Sequence, residues 1–244
     1  MQLFSKTDIG RVRLTNQDYV ESFMLTDSVA FAIVCDGMGG ANGGDVASST
    51  AAKSISEYVK RSYSEKMNNE KTAQLLRNAI ASANLDVFAL SESDDSLKGM
   101  GTTVVAAVIT ESYAVICHVG DSRAYLVNSG IIQLTTDHSV VQSLIESGEL
   151  TLDEAKEYPE KNVITRALGV EESIFPDYCV VPVKPADCIL LCSDGLTNYV
   201  DTADILTVFA ENNMENVADV LVSAANSNGG GDNISIVIVS QNRG

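Results

Sequence analysis

Consecutive apolar runs near the middle of this 244-residue chain are joined by only two or three residues. Glu-Ser separates the run at 103–110 (TVVAAVIT) from the run at 113–119 (YAVICHV), and Gly-Asp-Ser separates the latter from the run at 123–128. Runs rich in β-branched residues predict strands. Because a parallel crossover needs a dozen residues or more, connections this short require antiparallel turns.

The rest of the chain supplies further strands and several amphipathic helices. Ala47, Ala51, Ile55 and Val59 recur every four residues, which is typical of one helix face, and a similar stripe spans 76–90. Since helices flank antiparallel strands here, the pattern predicts a layered α+β fold in which helices cover one sheet or a pair of sheets. The predicted strands are 29–35, 103–110, 113–119, 123–128, 188–192 and 234–239, and the further helices are 139–147, 202–211 and 214–226.

Residues 140–186 are the least regular part of the sequence. All four prolines fall between 159 and 185. We predict that this segment leaves the core and forms a flap. No repeat, low-complexity tract or linker divides the chain, so residues 1–244 are predicted to form one domain.

Four aspartates stand where apolar strands end or begin. AIVC runs into Asp36, VICHVG into Asp121 and ILLCS into Asp194, while Asp232 precedes NISIVIV. Partly buried carboxylates in a cluster raise one another's pKa, and a divalent cation removes that conflict. Oxygen ligands suit Mg²⁺ or Mn²⁺. The glycine after the acid in DGMGG and SDGL is predicted to let the main chain turn, so that a carbonyl faces the metal.

Other site chemistries fit the sequence less well. Zinc is disfavoured, because the chain has two histidines and no zinc-type spacing of Cys or His. GMGGANGG has Asn42 where a dinucleotide fingerprint needs its third glycine, and it lacks the lysine of a P-loop. No GxSxG nucleophile elbow occurs. His118 is interpreted as a core residue and His138 as part of a helix start.

The composition limits partners and compartment. Lys and Arg total 16 against 33 Asp and Glu, for a formal net charge of −17, which repels nucleic acid and anionic lipid. The five cysteines form no CxxC pair and lie mostly in apolar runs, as expected for reduced core residues. With no apolar signal segment and no run of about 18 uncharged apolar residues, we expect a cytoplasmic protein without a membrane span.

Eight short motifs follow one another along almost the whole chain. The motifs are GRVRLTNQD at 10–18, DGMGGANGGDVAS at 36–48, GMGTT at 99–103, HVGDSRAY at 118–125, LTTDHSVV at 134–141, NVITRALG at 162–169, LLCSDGL at 190–196 and GGGDNIS at 229–235. They resemble, in the same order, the motifs of the metal-dependent protein serine/threonine phosphatases (PPM, type 2C), and are most similar to the short single-domain bacterial branch.

This resemblance implies a sandwich of two antiparallel sheets flanked by helices, with a binuclear Mn²⁺ or Mg²⁺ centre at one edge. It implies that Asp36 bridges both metals and that Asp194 and Asp232 complete the first site. The carbonyl of Gly37 would bind the second metal. Asp18 would hold metal-bound water from the second shell.

The resemblance also assigns residues around the metals. Arg13 matches the arginine that clamps phosphate, and its alternative is an ordinary surface ion pair. Asp121 resembles a ligand of a third metal, shared with Asp194, and the alternative is a capped turn in GDSR. Asn233 is expected to orient Asp232 rather than to bind metal.

The implied reaction is hydrolysis of phosphoserine and phosphothreonine in proteins by a metal-bridging hydroxide, without a phosphoenzyme. Some relatives carry a histidine at the position of Met38 and others at the position of Ala41, so no side-chain acid is evident here. We hypothesise that water on the third metal at Asp121 protonates the leaving group. Gln17 replaces a glutamate of some relatives, which predicts looser binding of the second metal.

The expected partners are phosphoprotein substrates and a cognate serine/threonine kinase, with no nucleic acid, and the chain is expected to be monomeric. Residues 140–168 match the family's flap and are expected to influence which substrates enter. Two alternatives are a catalytically silent binding module and a metal-dependent nuclease. The full set of carboxylates disfavours the first, and the acidic charge disfavours the second.

Overall fold

Two antiparallel sheets lie face to face between layers of helices in the computed structural model, which describes residues 1–39 and 43–241. In these residues the strands are β1 (Gln2–Asp8), β2 (Asp18–Thr26), β3 (Val29–Met38), β4 (Gly101–Thr102), β5 (Val104–Ile109), β6 (Tyr113–Val119), β7 (Arg123–Val127), β8 (Ile131–Gln133), β9 (Asp177–Pro182), β10 (Cys188–Cys192) and β11 (Ile234–Ser240).

The strand order confirms the predicted antiparallel architecture. One sheet has the order β1-β11-β10-β7-β8, and the other has the order β2-β3-β5-β6-β9 with β4 beside β3. The connection at 111–112 is an antiparallel turn as predicted, since β5 pairs with β6. The prediction is wrong for 120–122, because β7 does not pair with β6 but lies in the opposite sheet, where it pairs with β10 and β8. The chain therefore changes sheets at Gly120–Ser122.

Helices cover the outer face of each sheet, as predicted for the α+β sandwich. Within the described residues they are α1 (Gly44–Ser62), α2 (Asn69–Ser93), α3 (Val140–Glu146), α4 (Leu152–Lys156), α5 (Asp194–Thr197), α6 (Thr202–Glu211) and α7 (Met214–Ser227), with a short 3-10 helix at Asp95–Leu97. Helices α1 and α2 pack on the sheet that contains β3, and α6 and α7 pack on the sheet that contains β11. None of these helices has the length and apolar character needed to cross a membrane.

The central strands are buried on both faces. In β3, Phe31 and Ile33 face α1 and α2, whereas Ala32 and Val34 face the second sheet. Each side of the strand therefore contributes to a different core, and polar alternation is absent from the sequence of 29–35. Burial of a large apolar side chain such as Ile33 stabilises the fold by about 1.5–3 kcal/mol.

Part of the segment predicted to be irregular belongs to a sheet. Residues 177–182 form β9, an edge strand that pairs antiparallel with β6, so the excursion ends before residue 177 and the prediction of an irregular segment up to 186 is wrong. Pro182 is tolerated because an edge strand leaves one row of backbone N–H groups unpaired. Residues 140–168 carry α3 and α4, and Ile164 forms an isolated bridge with Ser139.

Candidate active site

Antiparallel pairing brings the predicted aspartates to one end of the sandwich. Cys192, at the end of β10, pairs with Ile236 of β11. Asp194, which follows β10, and Asp232, which precedes β11, therefore lie at the same end of these two strands. In the other sheet, Asp18 of β2 is directly opposite Asp36 of β3. Like charges directly opposite one another destabilise a ladder, so this pair has to be compensated by a proton or a cation.

The two threonines of the GMGTT motif hold the backbone of Asp36. Thr103 N–H donates to the Asp36 carbonyl at 2.8 Å, and Thr102 Oγ1 donates to the same oxygen at 2.9 Å. The N–H of Asp36 donates to Thr103 Oγ1 at 3.1 Å, and this hydroxyl lies 2.7 Å from Ser122 Oγ, next to Asp121. Thr103 therefore ties Asp36 to the turn that carries Asp121.

Asp194 begins α5 and contacts the Asp36 carboxylate. Its Oδ2 accepts a hydrogen bond from Asn198 Nδ2 at 3.0 Å. A Cβ on Gly195 would lie 1.9 Å from the carbonyl oxygen of Asn233, so only glycine lets α5 approach the residue after Asp232 this closely. The glycine of the SDGL motif thus serves helix–strand packing.

Burial and mutual repulsion disfavour the charged forms of these acids. Burial, together with the charges of Asp18, Asp194, Asp121 and Asp232, raises the pKa of Asp36 well above its ordinary value. Burial raises the pKa of Asp18 to about 7, although hydrogen bonds from serine side chains lower it. Burial and the charges of Asp194 and Asp137 raise the pKa of Asp121 to about 7. At neutral pH the ionised cluster needs a counter-cation.

The donor set fits a divalent cation. Asp18 Oδ1 and Asp194 Oδ1 are buried and have no hydrogen-bond partner among residues 1–39 and 43–241. This is a costly arrangement for a carboxylate oxygen unless a cation satisfies it. The polar groups gathered here are carboxylate and backbone oxygens, the ligands that Mg²⁺ and Mn²⁺ prefer. The other oxygen of Asp18 accepts a hydrogen bond from Ser193 Oγ at 2.8 Å, which places Asp18 beneath the partly exposed acids.

Arg13 and Asn233 lie at the rim of the cluster. Arg13 Nη2 donates to Asp232 Oδ2 at 2.8 Å, so in the structure it forms the ion pair that was the alternative to a phosphate clamp. The backbone N–H of Asn233 donates to Asp232 Oδ1 at 2.8 Å. The Asn233 side chain accepts a hydrogen bond from Gln17 N–H through Oδ1 and donates through Nδ2 to the carbonyls of Ile9 and Thr15. Asn233 therefore holds the loop that carries Arg13, which the sequence did not predict.

The turn expected directly after Asp36 does not occur there. Strand β3 continues through Gly37 to Met38 and pairs with β4. A Cβ on Gly37 would lie 2.0 Å from the carbonyl oxygen of Gly44, so glycine is needed for close backbone approach rather than for a turn. Ala41, at which relatives were expected to carry a histidine, lies outside the described residues.

A second arginine–aspartate pair was not predicted. Arg123 Nε donates to Asp137 Oδ1 and Oδ2 at 3.0 Å, and Nη2 donates to Oδ2 at 2.7 Å. The pair links the first residue of β7, directly after the turn that carries Asp121, to the DHS segment at 137–139 within the LTTDHSVV motif. Both motifs were recognised in the sequence, but their pairing depends on the tertiary fold.

His118 and His138 are buried against each other at the same end of the sheets, with ring centroids 4.7 Å apart and planes inclined by 19°. Together with Asp177 they bring three ligand atoms within 4.8 Å of one another. Imidazole lone pairs lie in the ring plane, so two stacked rings cannot direct them at one ion. His138 Nδ1 also accepts from Gly120 N–H, and Nε2 is bonded to Asp177 Oδ2. We therefore interpret this group as a hydrogen-bond network rather than a metal site.

Comparisons with known proteins agree on one family. The family model described as Protein phosphatase 2C matches residues 10–226. The "Serine/threonine phosphatase stp" of Listeria innocua is 41% identical over 239 residues, which cover 97% of this chain and 94% of that protein.

Solved structures show the same similarity. The crystal structure of serine/threonine phosphatase Stp1 from Staphylococcus aureus matches with a TM-score of 0.92 and 33% identity, covering 98% of this chain and 94% of that one. The catalytic domain of serine threonine protein phosphatase PstP, in complex with two manganese ions, matches with a TM-score of 0.86 and 29% identity, covering 98% of this chain and 97% of that one.

Proposed function

Because this chain belongs to the protein phosphatase 2C family, we propose that its aspartate cluster is the catalytic centre, where divalent cations are held for hydrolysis of phosphoserine and phosphothreonine. The chain is a metal-dependent protein serine/threonine phosphatase. The location of the site rests on the direct opposition of Asp18 and Asp36 and on the buried oxygens of Asp18 and Asp194, for which the described part of the chain offers no hydrogen-bond partner. Such a cluster is stable in its ionised form only around cations.

We assign Mn²⁺ or Mg²⁺ to this cluster, two per chain, with a third at Asp121. Asp36 would bridge the two, Asp194 and Asp232 would complete the first site, and the carbonyl of Gly37 would serve the second. The closeness of Asp121 to the charge of Asp194 supports a site that both residues share. Bound divalent cations lower the pKa of water and screen the charge of an incoming phosphate.

Around the cations, this chain's own side chains orient and bind. Asp18, fixed by Ser193, would hold water from beneath the cluster. Arg13 lies at the exposed rim of the aspartate cluster, paired with Asp232. Its forked guanidinium suits two phosphate oxygens. Asn233 keeps the Arg13 loop and the Asp232 carboxylate in register.

The wider setting of the enzyme follows from the same proposal. We infer that residues 1–244 act as one monomeric catalytic domain in the cytoplasm, in signalling that opposes a cognate serine/threonine kinase. Residues 140–168 would form a flap that influences which phosphoproteins enter. The leaving alkoxide would receive its proton from water held near Asp121, at the site proposed for the third cation.

The test is hydrolysis of a phosphoserine peptide by the purified chain with Mn²⁺, with Mg²⁺ and after chelation. We expect hydrolysis with either metal and none after chelation. Asp36→Asn should abolish the activity. Asp27→Asn is the matched control, because Asp27 is exposed in the turn at the opposite end of the β2–β3 hairpin, and it should leave the activity intact.

The two alternatives give different results in the same experiment. A silent binding module would bind Mn²⁺ without hydrolysing the peptide. A nuclease would cleave DNA in a metal-dependent way and release no phosphate from the peptide. Either result would contradict the proposed site function.

A further inference from the structure

His138 holds the Gly120 peptide from both sides. Its backbone N–H donates to the Gly120 carbonyl at 3.0 Å, and its ring Nδ1 accepts from the Gly120 N–H at 3.1 Å. Gly120 has a φ of +103°, and a Cβ there would lie 2.6 Å from Thr103 Cγ2. The chain at Gly120 is therefore in a conformation that other residues rarely adopt, and His138 stabilises it.

The other ring nitrogen of His138 is anchored to a different strand. Nε2 lies 3.1 Å from Asp177 Oδ2, at the start of β9. Asp177 Oδ1 in turn accepts a hydrogen bond from Arg166 Nη1 at 3.3 Å. A carboxylate on Nε2 favours the tautomer with the proton on that nitrogen, which leaves Nδ1 free to accept from Gly120. Arg166 Nη1 also lies 3.3 Å from His138 Nε2. An arginine can only donate, and the Gly120 N–H already requires Nδ1 to accept, so Nε2 carries the proton and Arg166 donates to Asp177 instead. Asp177 thus sets the orientation of the ring, and Asp177 and the Gly120 N–H together set its tautomer.

Asp121 lies between two such anchors. On its N-terminal side is the Gly120 peptide, held by His138. On its C-terminal side is Ser122, whose Oγ lies 2.7 Å from Thr103 Oγ1, and Thr103 also accepts from Asp36 N–H. The first anchor fixes the direction in which the Asp121 side chain leaves the turn, and the second fixes its distance from Asp36.

The geometry points to His138 as a positioning residue for Asp121: by accepting the Gly120 N–H through Nδ1, it sets the Asp121 carboxylate for a divalent cation shared with Asp194. The inference rests on the proposed function, because it concerns the third cation of the same site. His138 touches neither substrate nor metal in this arrangement. Its effect passes through one backbone amide.

The two ring nitrogens can be replaced one at a time. In His138→Asn, the amide Oδ1 takes the place of Nδ1 and can accept from Gly120. In His138→Gln, the amide takes the place of Nε2 and can donate to Asp177 but cannot reach Gly120. His118→Gln is the matched control, since it changes the stacked neighbour and retains a donor to the Thr136 carbonyl.

Mn²⁺ binding is measured directly by electron paramagnetic resonance of free Mn²⁺ during titration of each purified full-length variant, with thermal melting as the folding control. We expect the weakest of three Mn²⁺ sites to lose about 10-fold or more in affinity in His138→Gln. The two tighter sites should not change. His138→Asn and His118→Gln should bind all three ions as the wild type does. Half-maximal activation of peptide hydrolysis should require correspondingly more Mn²⁺ in His138→Gln alone.

Several outcomes would overturn the inference. It is wrong if the wild type binds only two Mn²⁺, if the Asn and Gln variants bind Mn²⁺ alike, or if His118→Gln weakens the same site. It is also wrong if the effects of His138→Gln and Asp121→Asn on the free energy of Mn²⁺ binding are fully additive in the double variant, because residues that act through one carboxylate should couple. In all these cases a wild type that still hydrolyses the phosphopeptide with Mn²⁺ leaves the proposed function standing.

Discussion

Two arginine–aspartate pairs at the same end of the sandwich differ in burial and in the number of contacts. Arg13 and Asp232 meet through one contact of 2.8 Å, and their side chains are 51% and 29% exposed. Arg123 and Asp137 meet through three N–H···O contacts, and their side chains are 30% and 10% exposed. The residue types are the same, so environment alone separates the two pairs.

The difference indicates what each pair can do. An exposed ion pair contributes about 0–1 kcal/mol, so Arg13 can leave Asp232 for another anion at little cost. Removing one partner of a buried pair costs about 3–5 kcal/mol, because the remaining charge is uncompensated. The Arg123–Asp137 pair is partly buried, so its loss belongs at the low end of that range. We infer that Arg13–Asp232 is an exchangeable contact at the mouth, and that Arg123–Asp137 is a fixed clamp behind Asp121.

The largest effect is expected from Asp232→Asn. The substitution removes a proposed metal ligand, so kcat/KM for a phosphoserine peptide should fall by about 10³-fold, which corresponds to about 4 kcal/mol. The melting temperature of the metal-free protein should not fall, because only an exposed pair is lost and the acidic cluster loses one repelling charge. Steady-state kinetics and thermal melting check the two expectations. Activity within tenfold of the wild type would show that Asp232 is not a ligand.

The opposite pattern is expected from Asp137→Ala. Arg123, which is 30% exposed, would remain partly buried without its partner. The free energy of unfolding should therefore fall by about 3 kcal/mol, the low end of the range for buried pairs. For a chain of this length that lowers the melting temperature by roughly 6–12 °C. The double variant Arg123→Met/Asp137→Leu removes both charges and should recover part of the loss. If the single variant melts like the wild type, the two pairs do not differ in the way that their burial suggests.

The two pairs also illustrate what could be predicted from the sequence. Asp232 was identified because an acid beside an apolar strand is a local pattern, and antiparallel pairing then brings such tips together. Arg123 and Asp137 are 14 residues apart, and nothing local indicates that these two side chains meet. His138 is a similar case, since its contacts with Gly120 and Asp177 exist only once β6, β9 and the DHS segment are packed.

The same distinction applies to the strands. The run at 29–35 was predicted because both faces of β3 are buried and every position is apolar. Strand β1 was missed because it lies at a sheet edge, where polar residues such as Ser5 and Lys6 are exposed. Strand β9 was missed because its edge position admits Pro182, and proline-rich sequence is typical of loops. Edge strands are less buried, so their sequences lack the continuous apolar run from which a strand is predicted.

A smaller effect is expected from Arg13→Lys, which retains the charge and removes the fork. We expect kcat/KM for the phosphopeptide to fall by about 20-fold, since a lysine cannot bind two phosphate oxygens in one plane. The melting temperature should stay unchanged. Arg123→Lys should show the reverse, with a lower melting temperature, because the buried Asp137 loses its geometric match. Equal loss of stability in both variants would remove the distinction between the pairs.

The smallest effect is expected from pH, acting on Asp18, whose hydrogen bonds within the described residues come from serines rather than from an arginine. Burial raises the pKa of Asp18 to about 7 in the folded chain, from 3.8. The folded state therefore binds the proton more tightly than the unfolded state does. This contribution to stability is complete below about pH 4 and is lost as the pH rises through about 7.

Accordingly, the metal-free protein should melt at a lower temperature at pH 7.5 than at pH 5, by roughly 2–4 °C for each kcal/mol lost. Asp18→Asn should flatten this dependence, because the amide does not ionise. Mn²⁺ should reverse its sign, since the cations bind the deprotonated cluster and stabilise the folded state more at the higher pH. Arg13→Lys, which changes only the exposed pair at the mouth, should leave the slope as it is. If the metal-free protein instead gains stability from pH 5 to pH 7.5, the fold itself already compensates the charges of the buried acids. The buried acids would then need no cation, and in this respect they would not differ from Asp137, which is compensated by Arg123.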